Sequence, residues 1–143
     1  LLEKMALLKV ASDTQTSTLN MAATSLFLDR FDLTAHIDLL RVAYRHKKEV
    51  MLDAIRRHFP QDVVLTDPEG GLFTWVTFPE GFDATTFMRD VALPQARVAY
   101  VPGATFFPVD EQANHARINY SAQSEDRIRD GIAALGKVLR QAG

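Results

Sequence analysis

The chain has 143 residues, a length typical of a single domain, and its 47% apolar and 24% charged residues are close to the globular average. Its formal net charge of −2 creates no strong field, and no apolar run approaches the roughly 18 residues that span a bilayer, so we expect neither nucleic acid nor a membrane as a partner of this chain. The absence of cysteine excludes disulfides and thiolate-based metal sites, and it fits a reducing compartment, for which we expect the cytoplasm.

The first sixty residues have a helical hydrophobic period. Residues 1–10 predict the end of one helix, and Leu19 to Phe31 predict a second. The polar segment between them, ASDTQTSTLN, contains four possible helix caps: Asp13, Thr16, Ser17 and Thr18. A long third helix is predicted from about Ala35 to Phe59, with Asp32 or Thr34 as its cap.

After Pro60 the hydrophobic period changes to two, which is typical of strands. The segments VVLTD and LFTWVTF, residues 63–67 and 72–78, predict two strands joined by the turn DPEGG. A short helix is then predicted from Ala84 to Val91, ending near Pro94.

The last fifty residues predict two more strands and a helix. RVAYV and ARINYS, residues 97–101 and 116–121, have strand character and are separated by a turn-rich loop, and a final helix follows Ser124. This order of elements predicts an α+β fold: a small, mainly antiparallel sheet covered by helices, preceded by a long helix and linker helices.

The residues alone identify no catalytic constellation. The sequence has no glycine-rich phosphate loop, no HExxH spacing and no nucleophile elbow, and we interpret its four histidines as structural and expect no metal site. Arg117, near the start of the last predicted strand, has two open interpretations. It is either a solvated strand-end arginine paired with a surface acid, or a fixed guanidinium that binds a carboxylate.

Four stretches of the sequence occur in the same order in one protein family: ASDTQTSTLN (11–20), DPEGGLFTWVTFPEG (67–81), VAYVPGATFFP (98–108) and ARINYSAQSEDRIRDGIAAL (116–135). Together they make the chain resemble the C-terminal part of fold-type I aminotransferases, which use pyridoxal phosphate. The resemblance is to the branch that contains 2-aminoadipate and aromatic aminotransferases and the aminotransferase-like half of MocR-type regulators.

The resemblance implies roles for individual residues. It implies that Arg117 binds the α-carboxylate of the substrate, and that Phe73 forms a wall of the substrate pocket, although a plain sheet-core phenylalanine is an equal alternative. Thr16, Ser17 and Asn20 match a segment that runs along the dimer interface toward the neighbouring active site, with helix capping as the alternative.

The resemblance also implies that this chain is part of a larger protein. Residues 1–33 would be linker helices from a missing large domain, and residues 34–143 the C-terminal small domain. The complete protein would be a cytoplasmic homodimer that transfers an amino group between an amino acid and a 2-oxo acid. The lysine that binds pyridoxal phosphate would lie outside this chain, so we expect no catalytic residue, no covalently bound cofactor and no transaminase activity here.

Two other functions remain open at the level of the sequence. The first is the effector-binding, aminotransferase-like half of a MocR/GntR-type transcriptional regulator, in which a separate winged-helix region binds DNA. The second is a stand-alone binding or assembly module that has only the fold in common with the enzymes. The residues that precede Leu1 in the complete protein would distinguish them.

Overall fold

Two units make up the chain, and the computed structural model describes residues 1–13 and 15–142 of them. The first, the N-terminal unit, is Leu1–Leu40, and the second, the C-terminal unit, is Arg41–Gly143. The boundary falls inside the third helix, α3, which runs over Leu33–His58.

Helices form the N-terminal unit. Helix α1 spans Leu2–Ser12, helix α2 spans Thr18–Arg30, and α3 begins after Asp32, whose Oδ1 accepts a hydrogen bond of 3.0 Å from Ala35 N. Every described residue of this unit is exposed, although many are large and apolar. The three predicted helices are therefore present, but none of their apolar faces in this unit is buried.

A four-stranded antiparallel sheet forms the centre of the C-terminal unit. Its strands are β1 (Val64–Leu65), β2 (Phe73–Thr77), β3 (Val101–Pro102) and β4 (His115–Asn119). They lie in the order β1-β2-β4-β3, and every neighbouring pair is antiparallel. The predicted α+β fold with a small antiparallel sheet is confirmed.

One face of this sheet joins the hydrophobic core. Strand alternation places Val76 of β2 and Ala116 and Ile118 of β4 on the buried side, where they cluster with apolar residues of α3 and of the last helix, α5 (Glu125–Ala142). Side chains at the intervening positions of β2 and β4 point to the opposite face. That opposite face carries Phe73 and Arg117, two of the residues that the sequence selects as functional.

The connection between β2 and β3 differs from the prediction. The short helix α4 covers only Ala84–Phe87 and continues as a π-helix over Met88–Ala96, with Pro94 inside it. Arg97 ends the π-helix in the left-handed conformation, and its N–H donates to Ala92 O, five residues back. The predicted strand over residues 97–101 is therefore wrong except for its last residue, because helical hydrogen bonding continues past the proline.

The closing helix agrees with the sequence. Helix α5 begins one residue after Ser124, whose Oγ accepts a hydrogen bond from Arg127 N at 3.4 Å. Gly136 lets this helix approach the end of α3 closely, since a Cβ at that position would lie 2.3 Å from His58 O. Among the described residues, no helix is long and apolar enough to cross a membrane, and no cluster of three or more ligating side chains could hold a metal ion.

Candidate functional site

Arg117 lies in the interior of the sheet rather than at the start of its strand. It is the third of the five residues of β4, and it is paired with Trp75 of β2 on one side and with Val101 of β3 on the other. The side chains of Trp75 and Arg117 point to the same face, because directly opposed residues of antiparallel strands share a face. Arg117 is thus fixed at its base by strands on both sides.

Two aromatic rings flank the guanidinium of Arg117. Its Cζ lies 4.2 Å from the ring centroid of Phe73 and 4.6 Å from that of Phe106, and both distances are within the range of cation–π interactions. The rings hold the guanidinium without neutralising its charge. The first alternative for Arg117, a surface ion pair, is not what this geometry contains.

The hydrogen-bonding capacity of this guanidinium is not fully used by the described residues. Arg117 Nε is buried and has no hydrogen-bond partner among the described residues, and none of the ion pairs found among them includes Arg117. An unsatisfied buried donor costs about 1–3 kcal/mol, and more for a charged group. The site is therefore suited to an external acceptor, and a planar carboxylate matches the parallel N–H groups of arginine.

Phe73 stands at the edge of this site rather than in the core. It is 37% exposed, and its ring contacts the guanidinium instead of the buried face of the sheet. It follows Gly71 by two residues, and Gly71 has a φ of 90°, a conformation that favours glycine. The structure thus brings the side chains of Arg117 and Phe73 together, on the face of the sheet opposite the core.

The turn that precedes Phe73 is anchored by hydrogen bonds. Tyr120 Oη donates to Gly71 O at 2.9 Å, and Lys48 Nζ donates to Pro68 O at 3.0 Å and to Asp67 Oδ1 at 2.7 Å. The hydrogen bond from Lys48 lowers the pKa of the Asp67 carboxyl below its usual value. These contacts fix the start of β2, and with it the position of the Phe73 ring.

Sequence reasoning missed Phe106. This residue lies in a short 3₁₀ turn, Gly103–Phe106, directly after β3, and it is 43% exposed. The only signal in the sequence is the pair FF at 106–107, an apolar pair in a loop that is otherwise rich in turn residues. Sequence reasoning interpreted His115 as structural and did not connect it with the site; it is buried at 8% exposure and hydrogen-bonded to Trp75.

The other three predicted site residues lie in the N-terminal unit. Ser17 is the N-cap residue of α2, but its side chain makes no capping hydrogen bond. Thr16 and Asn20 flank it, and Asn20 O accepts a hydrogen bond from Thr24 Oγ1 at 2.8 Å. All three residues are exposed.

Comparison with known proteins identifies the family to which this geometry is related. The aromatic-amino-acid aminotransferase 1 of Thermococcus litoralis is 33% identical over 140 residues, which are 98% of this chain and 33% of the relative. The crystal structure of LysN, the α-aminoadipate aminotransferase of Thermus thermophilus, superposes with a TM-score of 0.87 at 33% identity over 98% of this chain and 35% of that protein. The chain is homologous to the small-domain part of pyridoxal-phosphate aminotransferases.

The aminotransferase relatives are about three times as long as the chain, which spans about a third of their length. LysN was crystallised with N-(5'-phosphopyridoxyl)-L-leucine, a compound of the cofactor and an amino acid. A helix-turn-helix transcriptional regulator of Escherichia coli, YjiR, is also similar, at 25% identity over 88% of this chain and 27% of its own length. No protein-family model matches the chain.

Proposed function

We propose that this chain is the C-terminal small domain of an aminotransferase, and that Arg117 binds the α-carboxylate of the amino acid or 2-oxo acid substrate. The observation that carries the proposal is the guanidinium of Arg117, which is fixed between two rings and has no acceptor for its buried Nε among the described residues. The homology to aminotransferases supports a carboxylate as that acceptor, since every substrate of this reaction class has one.

The role of the site is positioning rather than bond making. A carboxylate held by two parallel N–H groups is fixed in both place and orientation, which sets the rest of the substrate relative to the reacting groups. Phe73 and Phe106 limit the directions from which the carboxylate reaches the guanidinium, because their rings cover part of it. Phe73 then forms one wall of the substrate pocket, as the resemblance implies.

Pyridoxal phosphate does not fit the described residues of this chain. The five lysines lie on helices: Lys4 and Lys9 on α1, Lys47 and Lys48 on α3, and Lys137 on α5. None of them lies in a Ser/Thr-x-x-Lys sequence. We therefore assign the cofactor site, and the chemistry at the amino group, to the part of the complete protein outside this chain.

The N-terminal unit is proposed to connect this domain to the rest of the enzyme. Its exposed apolar side chains include Leu7, Leu8, Leu26 and Phe27, and such a surface is normally covered in a stable protein. We propose that the rest of the polypeptide and a second subunit cover it, and that Thr16, Ser17 and Asn20 lie toward the active site of that second subunit.

The carboxylate role is tested by Arg117→Ala in the complete protein. Loss of two charge-assisted hydrogen bonds, each contributing about 1.5–3 kcal/mol, raises the KM for the amino acid by roughly a hundredfold or more. Arg129→Ala is the matched control, because it also removes an arginine, but one that is half exposed and ion-paired with Glu125 and Asp126. An unchanged KM in R117A, or an equal rise in both variants, would reject the role.

A second candidate is the effector-binding half of a transcriptional regulator, which the similarity to YjiR favours. The same site would then bind an amino-acid carboxylate as a signal. The two functions separate in one pair of measurements on the complete protein: amino-group transfer to a 2-oxo acid, and specific binding to DNA from its own promoter. Transfer without DNA binding supports the enzyme, and the reverse result supports the regulator.

A further inference from the structure

A hydrogen-bonded array of polar side chains lies beside Arg117 on the same face of the sheet. His115 Nδ1 accepts a hydrogen bond of 3.2 Å from Trp75 Nε1, and Thr77 Oγ1 lies 3.0 Å from the same nitrogen. On the other side of the ring, His115 Nε2 is 2.8 Å from Gln112 Oε1. An indole N–H only donates, so Nδ1 must accept, and the imidazole carries its proton on Nε2, which donates to Gln112.

Side-chain contacts that begin at Trp75 join this array to the guanidinium. Trp75 is the direct cross-strand partner of Arg117, and its ring meets the ring of Phe106 edge to face, with centroids 5.6 Å apart. Phe106 in turn lies 4.6 Å from Arg117 Cζ. Because these groups are in contact with one another, a displaced indole would also shift Phe106 and, through it, the guanidinium.

His115 also supports the turn that carries Phe106. A Cβ added to Gly103, the first residue of that turn, would lie 2.3 Å from His115 Cβ, so the turn rests directly on β4 at this point. The next aromatic residue, Phe107, stacks on the imidazole with ring centroids 5.3 Å apart. One side chain therefore contacts both the indole of Trp75 and the turn that carries Phe106.

We propose that His115 is a positioning residue for the carboxylate site, and that it acts by accepting the indole N–H of Trp75 and so fixing Trp75, Phe106 and the Arg117 guanidinium in one arrangement. The proposal rests on the proposed carboxylate role of Arg117, and it adds a residue that does not touch the substrate. The proposal requires a hydrogen-bond acceptor at the position of His115 Nδ1, and a ring without such an acceptor would not be sufficient.

Two substitutions separate that requirement from a general packing role. In His115→Asn, the amide oxygen takes the place of Nδ1 and can accept from Trp75. In His115→Gln, the amide reaches the place of Nε2 instead, so the contact with Gln112 survives and the indole N–H loses its acceptor. Both variants remove the imidazole, so a role in packing alone predicts similar behaviour, whereas the proposed role predicts that only H115N resembles the wild type.

The chain offers specific signals for this test. Trp75 is its single tryptophan, so its indole N–H gives one assigned signal in a ¹⁵N-correlated NMR spectrum. We expect ring currents of the flanking phenylalanines to shift the Arg117 Nε–H signal, because the ring centroids lie 4.2 and 4.6 Å from the guanidinium carbon. We expect the wild type and H115N to show a protected indole N–H and a strongly shifted Arg117 Nε–H, and H115Q to lose both features while the backbone spectrum stays that of a folded chain.

Titration of the complete protein with L-leucine tests whether the loss of the Trp75 hydrogen bond weakens binding of the amino acid. We expect the dissociation constant to rise about fivefold or more in H115Q, the factor expected from the loss of one neutral hydrogen bond, and to stay within about twofold in H115N. Gln112→Ala, at an exposed position, is a milder variant for the case in which H115Q fails to fold, and we expect smaller shifts of the same two signals.

The outcomes for the two proposals are distinct. An Arg117 Nε–H signal that stays at its wild-type position in a folded H115Q, or in Q112A where H115Q is unfolded, would overturn the positioning role, as would equal changes in H115N and H115Q. An unchanged KM for the amino acid in R117A of the complete protein would count instead against the carboxylate role of Arg117, because the ligand-free signals are measured independently.

Discussion

Asp83 lies outside the site, and its negative charge stabilises the start of a helix. Its Oδ1 accepts hydrogen bonds from Thr85 N and Thr86 N at 2.9 and 3.0 Å, and it therefore caps α4. The hydrogen bond from the Thr86 backbone, and then that from its hydroxyl, lower the pKa of this carboxyl below its usual value. Since α4 continues into the π-helix, this cap holds the start of the whole connection between β2 and β3.

The lowered pKa gives a signed prediction for stability. Because the folded chain holds Asp83 ionised more readily than the unfolded chain, its contribution is fully present above the unfolded value of about 3.9 and is lost as the pH falls through the lower folded value. We expect Asp83→Asn to lower the free energy of unfolding by about 0.3–1 kcal/mol at neutral pH, since the group is exposed and screened. Urea denaturation of both proteins as a function of pH measures this, and a difference that persists at about pH 2 would contradict it.

Whether a residue around Arg117 could be predicted from the sequence depends on whether it lies on a strand or in a loop. Arg117 and Phe73 lie on neighbouring strands whose alternation can be read from the sequence, and they were predicted to share a site, mainly through the family resemblance. Phe106 reaches the same guanidinium from a loop, and no periodicity fixes the path of a loop. His115 could not be selected either, because its partner Trp75 becomes a neighbour only after β2 and β4 pair.

At the level of elements, two glycines of α5 offer a matched test of helix packing. A Cβ at Gly136 would lie 2.3 Å from His58 O at the end of α3, whereas a Cβ at Gly131 would lie 3.6 Å from Val98 Cγ2, an ordinary contact. Alanine is better than glycine inside a helix by about 1 kcal/mol. The two substitutions therefore share the same gain in propensity and differ only in the space around the new methyl group.

We expect opposite signs for the two variants. Gly131→Ala should raise the free energy of unfolding by about 0.5–1 kcal/mol, and Gly136→Ala should lower it by about 1–3 kcal/mol, because the methyl group meets a backbone carbonyl that cannot turn aside. Thermal and urea denaturation of the chain measure both. If G136A proved as stable as G131A, the close approach of α5 to α3 would be wrong.

The elements differ in how far local patterns determine them. Helices α3 and α5 were predicted within two residues of their observed starts, because a long amphipathic period and an aspartate or serine cap specify the same structure. The π-helix was not predicted, since the proline inside it is ordinarily a sign that a helix stops. Its hydrogen bonding reaches Arg97 and Val98, the first two residues of the predicted strand, and β3 is only two residues long.

At the scale of the whole molecule, the two units differ in how many of their own side chains they bury. The C-terminal unit has a continuous core and contains the complete set of residues around Arg117. The N-terminal unit buries none of its described side chains. The exposure of the N-terminal unit agrees with a chain that spans about a third of the length of its relatives. The helical periods alone predict buried faces in this unit, so its exposure could be expected only from the family resemblance.

The last prediction concerns the cofactor, whose site we propose to lie in the part of the complete protein outside this chain. Lys9 is ion-paired with Asp13 and Lys48 with Asp67, and Lys47 Nζ donates to Ser121 O at 2.9 Å. Incubation of the chain with pyridoxal phosphate, followed by borohydride reduction, should therefore give only weak labelling spread over several lysines. Intact-mass measurement and peptide mapping record the extent and position of the adducts.

The complete protein supplies the control for this experiment. There we expect one stoichiometric adduct, at a lysine outside the sequence of this chain, together with the absorbance of a bound cofactor. A stoichiometric adduct at one lysine of the chain itself would show that the cofactor site lies here. In that case Arg117 would stand in the same domain as the chemistry, and the assignment of substrate positioning to this part and of bond making to the rest would have to be abandoned.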